Sequence, residues 1–368
     1  MSKQDNYAKS GVDYGTLDPI KVLAQQSARA TASMLAGFGS EEVTASRGES
    51  AYVWEEPDAY RSLVIEGLGT KNRVAHAMRE ITGKTYYDTI AQDTIAMIVN
   101  DLIVVGALPQ VVNAYWAVGD SQWLADKQRA EDLIRGWAAA CEKSGATWGG
   151  GETPTLVGTI EPDTIDLAGS AVGIINPKSR LVLGDKLVDG DAIVLIESSG
   201  IHANGLTMAR KLAEEHPEGF AAKLSDGRMY GEALLTPTHL YVELVRKLFE
   251  SGVDVHYMVN ITGHGWRKLM RANAEFSYEI DFVPKPQAEF AFIQEQSGSS
   301  IEDMYGNFNM GTGFAIYVPK SDAGNVVSVA KELSLEAWEA GSVKTGQRRV
   351  SILSKNIIFE GSSLTVRN

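Results

Sequence analysis

The stretch DTIAMIVNDLIVVGALP (Asp93–Pro109), continued by QVVNAYWAV (Gln110–Val118), decides the fold. Its apolar run from Ile95 to Val118 would be long enough to cross a bilayer, but it carries Asn100, Asp101, Pro109, Gln110 and Asn113. A spanning helix would leave those groups in hydrocarbon, which is costly for a charge above all. Ile90, Ile95, Ile98, Leu102 and Val105 recur at helical spacing, and Pro109 stops the pattern. The run therefore reads as a buried helix over 88–106, a turn, and a buried strand over 110–118.

Outward from this pair, strands are expected at RSLVIE (Arg61–Glu66), 165–175, 192–197, 253–259, 276–282, 313–318 and through the tail, 348–366. Helices are expected from Asp18, with Pro19 in the first helical position, to the Gly37-Phe38-Gly39 stop. Others run from a Ser121 cap to Gly145, over 202–215, from a Thr236 cap, and over 321–333. The two kinds of element mix without strict βαβ alternation, which gives an α+β class rather than a doubly wound parallel sheet. The Asn176-Pro177 turn marks the expected boundary between an N-terminal domain, 1–176, and a C-terminal domain, 177–368.

The chain has 368 residues, with 34 Lys and Arg against 47 Asp and Glu, a formal charge of −13. It has no block of basic residues, so neither nucleic acid nor an anionic membrane surface is an expected partner. Cys141 is the single cysteine, which excludes an intrachain disulfide. The first residues, MSKQDNYAKSGVD, lack the apolar core of a signal peptide, and a cytoplasmic location is expected.

The usual nucleotide motifs are absent: there is no G-x-x-x-x-G-K-[ST], no G-x-G-x-x-G and no kinase H-R-D or D-F-G. Other segments carry chemistry. Glu66-Gly-Leu-Gly-Thr70-Lys71 places glycines and a cation at a strand-to-helix turn, which suits an anion and equally suits a plain tight turn. Asp93 and Asn100 share a helix face with Asp101 beside it, a set of oxygens suited to Mg²⁺ or to half-buried polar caps. Glu152 follows three glycines, 149–151. Ser198-Ser199-Gly-Ile-His202-Ala-Asn204-Gly205 offers amides, hydroxyls and a titratable ring for a phosphate. Asn260-Ile-Thr262-Gly-His264-Gly265 adds a further polar turn.

Taken in order, these segments resemble the aminoimidazole ribonucleotide synthase (phosphoribosylformylglycinamidine cyclo-ligase) family. The matching stretches are YAKSGVD (7–13), GFGS (37–40), EGLGTK (66–71), DTIAMIVNDLIVVGALP (93–109), GGET (150–153), SSGIHANG (198–205), LLTPT (234–238), NITGHG (260–265) and MYGNFNMGTG (304–313). Three departures stand out: Glu66 where the family usually has Asp, His264 where it often has Gly, and PTLVG (154–158) after GGET.

The resemblance implies two α+β domains whose N-terminal halves form a barrel-like homodimer core, with ATP and Mg²⁺ between the domains. It implies ATP-dependent ring closure of a phosphorylated small molecule, formylglycinamidine ribonucleotide, through an iminophosphate, in purine biosynthesis. The roles it implies are Asp93, Asp101 and Glu152 on Mg²⁺. Lys21, Thr70, Lys71, Asn100, Ser199, Asn204 and Thr262 would sit around the nucleotide. Glu66, His202 and Lys71 would act at the reacting atoms. The competing readings are a paralogue using Mg-ATP on a different amide or phosphate-bearing substrate, and a non-catalytic nucleotide-binding subunit.

Overall fold

The computed structural model describes residues 14–365. The YAKSGVD stretch lies outside the described residues. Helix α1 (Tyr14–Arg29) precedes a 3₁₀ stretch, Ala32–Phe38, that ends at Gly39 in the left-handed region. The expected start at Asp18 is corrected: Pro19 lies inside the helix, and the Asp18 side chain turns inward to another partner, His264.

The first half builds a six-stranded sheet from β1 (Glu41–Glu42), β2 (Tyr52–Glu55), β3 (Tyr60–Gly67), β4 (Leu108–Val118), β5 (Thr147–Glu152) and β6 (Ile165–Ile175). Their order is β1-β2-β3-β6-β4-β5, antiparallel except for the β4–β5 pair. Helices α2 (Lys71–Thr82), α3 (Tyr87–Ile103), α4 (Gln122–Ala125) and α5 (Lys127–Lys143) accompany it. The tract that was expected to be a buried helix, turn and buried strand is α3, a turn and β4. α3 packs on β3, β4, β6 and α5.

Strand β3 alternates strictly, with Ser62 and Val64 turned to the helices and Leu63 and Ile65 turned away. That is the pattern of a sheet covered on one face. On the uncovered face Ile65 is 75% exposed, and Leu63, Val111 and Tyr115 are exposed beside it. The expected Ser121 cap gives way to Asp126, whose carboxylate accepts from the Arg129 N–H at the start of α5.

The second half builds a seven-stranded sheet from β7 (Ala192–Glu197), β8 (Tyr257–Asn260), β9 (Phe276–Ile280), β10 (Thr312–Val318), β11 (Ala337–Thr345), β12 (Arg349–Ile352) and β13 (Ile357–Glu360). The order is β13-β12-β9-β11-β7-β10-β8. β8 and β10 are buried along their whole length. The helices are α6 (Leu206–Glu215), α7 (Tyr230–Leu234), α8 (Val242–Glu250), α9 (Ala288–Ser297), α10 (Ile301–Asn307) and α11 (Ala323–Glu332).

α6 starts later than the expected 202, because His202 and Gly205 both hold positive φ, 62° and 83°. No helix is capped at Thr236: residues 236–238 form a loop between α7 and α8. Among the described residues no helix is long and apolar enough to cross a membrane.

Candidate functional site

Three polar residues interrupt the apolar surface of α3, and the structure gives each a partner in the second half. Lys71, at the first position of α2, is fully buried, and its Nζ lies 2.8 Å from Asp93 Oδ2. The same Nζ donates to the carbonyls of His202 and Thr236, each at 3.0 Å. Two carbonyl acceptors and the nearby carboxylate thus surround the ammonium nitrogen. Burial pushes Lys71 down and Asp93 up, and each partner's charge opposes that shift. Asp93 Oδ1 also accepts from the Thr238 N–H at 2.8 Å and from the Thr238 hydroxyl. Asn100 donates to His239 O and accepts from the Tyr241 N–H. These groups form a clamp between the halves.

His202 belongs to the same clamp. Its Nε2 accepts from the Ser199 N–H at 3.2 Å, and burial holds its pKa well below the usual imidazole value. The Nε2 lone pair is taken up by that bond. Ser199 Oγ donates to Pro237 O. Asp93, expected on a metal, Lys71, Asn100 and Ser199, expected on a nucleotide, and Lys71 and His202, expected at reacting atoms, thus all sit in this clamp. In this structure their polar atoms face one another or backbone, not a cavity.

The open site lies next to the clamp, where α1, the end of β3, α3 and the turn after β8 converge. A hollow of about 320 Å³ is lined by Asp18, Lys21, Glu66, Asp101, Asn204, Thr262, His264, Lys268 and Arg271. Both halves contribute. Asp101 Oδ1 accepts from Asn260 Nδ2 at 2.6 Å, which fixes the carboxylate while leaving its other oxygen for a ligand. Burial pushes the Glu66 carboxyl up to about 7, and the negative charge of Asp101 adds to the shift, with Lys268 opposing it. Burial pulls Lys268 down to about 8, with Asp101 holding it up and Arg271 pressing it further down. Lys268 Nζ donates to the Thr262 hydroxyl.

Helix α1 closes one side. His264 Nε2 meets Asp18 Oδ2 at 3.2 Å, and Lys21 pairs with Asp18 at 3.3 Å. Burial takes the His264 ring down to about 4, with Asp18 opposing the shift. His264 sits at φ 67°, the left-handed region where glycine is unstrained. His264 holds this conformation while bonding to α1.

Carboxylates and cations facing one another across a small hollow fit a phosphate that arrives with its divalent ion. Asp101 could hold a divalent cation through its second oxygen, Glu66 stands beside it, and Lys21, Lys268 and Arg271 could meet phosphate oxygens. The expected trio of Asp93, Asp101 and Glu152 is not brought together. Only Asp101 lines the hollow, Asp93 is in the clamp, and Glu152 ends the exposed edge strand β5. Among the described residues no three His, Cys, Asp or Glu side chains are grouped so as to hold a metal. Glu66, Lys21, Asn204 and Thr262 do lie at the hollow, whereas Thr70, at the start of α2, does not. Sequence reasoning missed Asp18, Lys268 and Arg271. The signal was present in WRKLMR (266–271), where Lys268 and Arg271 stand three apart in the 3₁₀ turn Gly265–Met270 and its cap, so they share a face.

Comparison with known proteins gives two family matches: "AIR synthase related protein, N-terminal domain" over residues 50–175 and "AIR synthase related protein, C-terminal domain" over 188–354. A phosphoribosylformylglycinamidine cyclo-ligase of Carboxydothermus hydrogenoformans is 32% identical over 359 residues, 94% of this chain and 98% of that protein. One of Methanothermobacter thermautotrophicus is 36% identical over 292 residues, 78% of this chain and 82% of that protein. Among solved structures, the HypE-HypF complex matches at TM-score 0.60 and 15% identity, covering 85% of this chain and 92% of that one. AaThiL complexed with AMPPCP and TMP matches at TM-score 0.56 and 17% identity, covering 84% and 89%. At these identities the solved structures speak to the fold alone.

Proposed function

The chain belongs to the AIR synthase family, and from that premise we propose that it is an ATP-dependent cyclo-ligase of purine biosynthesis. Its substrate is formylglycinamidine ribonucleotide, which it closes to aminoimidazole ribonucleotide with release of ADP and phosphate. The observation that carries the reading is the hollow itself, with Glu66 and Asp101 facing Lys268 and Arg271 between the two halves.

An amide oxygen leaves poorly. Transfer of the terminal phosphoryl group to that oxygen gives an iminophosphate, and attack by the amidine nitrogen on the same carbon then expels phosphate. The chain's tasks are alignment and charge neutralisation. Lys268 and Arg271 hold phosphate oxygens, with Lys21 reaching in from α1. Asn204 and Thr262 orient the bound groups. The attacking nitrogen must shed a proton, and Glu66, titrating near neutrality, is placed to accept it. Mg²⁺, when bound with ATP, would supply charge stabilisation on the transferring phosphoryl group, and Asp101 would hold it.

Cys141 is buried and its thiol is pushed up to about 11, so no observation favours a paralogue that works through a cysteine. The same reading places the protein in the cytoplasm, divides it into domains near Pro177, and makes it a homodimer joined through the open face of the first sheet.

Asp101→Ala tests the reading. It is expected to abolish ADP release on addition of formylglycinamidine ribonucleotide in a chain that still unfolds in one cooperative step, at a lower midpoint because the Asn260 amide loses its partner. Near-wild-type turnover would remove the assignment, and product identity in the wild-type assay separates this reaction from that of a paralogue.

A further inference from the structure

A second cavity, of about 770 Å³, opens where the turn at 44–46 meets the segment 178–186. It shares no lining residue with the hollow around Glu66. Arg29, Arg47, Lys178 and Lys186 line it against one carboxylate, Asp185, in a chain whose formal charge is −13. Its size lies within the roughly 300–1,000 Å³ usual for small-molecule sites.

The four cations differ in how they are held. Arg47 pairs with Glu42, and both side chains are about nine-tenths buried, so this guanidinium is a fixed wall. Lys178 pairs with Glu55 and Lys186 with Asp254, both at 2.7 Å, but these acids are 45% and 53% exposed. Exposed pairs of this kind are screened and weak, so a multiply charged anion can take the ammonium groups at little loss. Arg29, at the end of α1, has no carboxylate partner among the described residues. Leu181 and Leu183 lend the same cavity a half-buried apolar wall.

We propose that this cavity is a second ligand site, for a phosphorylated small molecule carrying a ring. The phosphate lies among Arg29, Lys178 and Lys186, and the ring covers Leu181 and Leu183. None of these residues lines the hollow around Glu66, and the site is assigned binding alone. This inference stands independently of the reaction assigned to the hollow around Glu66.

The test is isothermal titration of the full chain at fixed low ionic strength with adenosine monophosphate, ribose 5-phosphate and inorganic phosphate as probes. The doubly substituted Arg29→Ser/Lys186→Ser protein is compared with wild type and with Asp101→Ala. Saturable adenosine monophosphate binding is expected in wild type and in Asp101→Ala, weakened roughly tenfold or more in the double variant. ADP release by the double variant in the absence of added monophosphate stays at the wild-type rate.

An affinity unchanged in the double variant overturns the proposal. So does binding lost in Asp101→Ala, which would place the probe in the other hollow. Absence of saturable binding by adenosine monophosphate and ribose 5-phosphate also overturns it. Inorganic phosphate binding as tightly as adenosine monophosphate would remove the ring from the proposal and sink it in this form.

Discussion

Lys71 and Asp93 make the clearest case at the scale of single residues. Removing one charge of a buried, hydrogen-bonded pair leaves the other without compensation. Lys71→Met is expected to cost about 3–5 kcal/mol. The double variant Lys71→Met/Asp93→Leu is expected to recover much of that loss in urea unfolding, because both charges are then gone.

Glu66 makes the opposite case. Its folded pKa of about 7 stands above the unfolded carboxyl value. Between the two values the folded chain holds a proton that the unfolded chain releases, so stability falls as pH rises from about 4.5 to about 7. Glu66→Gln should flatten that slope and raise stability at pH 8 by roughly 1–3 kcal/mol, with no gain below pH 4. A melting series across this range in the apo protein decides it.

These residues also mark what the sequence could and could not reveal. Asp93, Asn100 and Asp101 stood out as polar groups in an apolar tract, and all three do bond across the molecule. Spacing along one helix says nothing of what packs against it. Thr238, His239 and Asn260 are more than 130 positions away and decide that two of the three close a clamp and one faces a hollow.

The same limit appears among the elements. α3, β4, β6 and β10 were legible because their burial follows a strict period or a continuous apolar run. β11 was not, because its register shifts between Glu339 and Gly341 and breaks the alternation. Helix propensity alone would recommend alanine at Gly136 in α5. Packing reverses that sign, since a Cβ there would lie 2.4 Å from the backbone of Asp88 at the start of α3. Gly136→Ala is expected to destabilise the protein by about 1–3 kcal/mol, because the two helices must part. A rise in the urea midpoint would show that α3 yields more easily than its burial implies.

For the whole molecule, the asymmetry of the first sheet is the telling feature. One face is covered by α3 and α5, and the other presents Leu63, Ile65, Val111 and Tyr115 to solvent. Contiguous apolar faces of this kind mark association sites. Ile65→Asp should convert the expected homodimer to monomer in light scattering at micromolar concentration. A particle whose mass is the same with and without the substitution would remove this face from the interface.

The clamp has a bearing on chain connectivity. Lys71, Gln92, Asp93, Asn100 and Asp101 all reach from the first sheet's helices into the loop at 236–241 or to Asn260. The peptide running through 176–187 is therefore one tether among many, and not the one that sets the mutual placement of the two sheets. A protease that nicks this stretch would leave two fragments migrating together until denaturant separates them. A gene split at the same point would encode pieces able to find each other again.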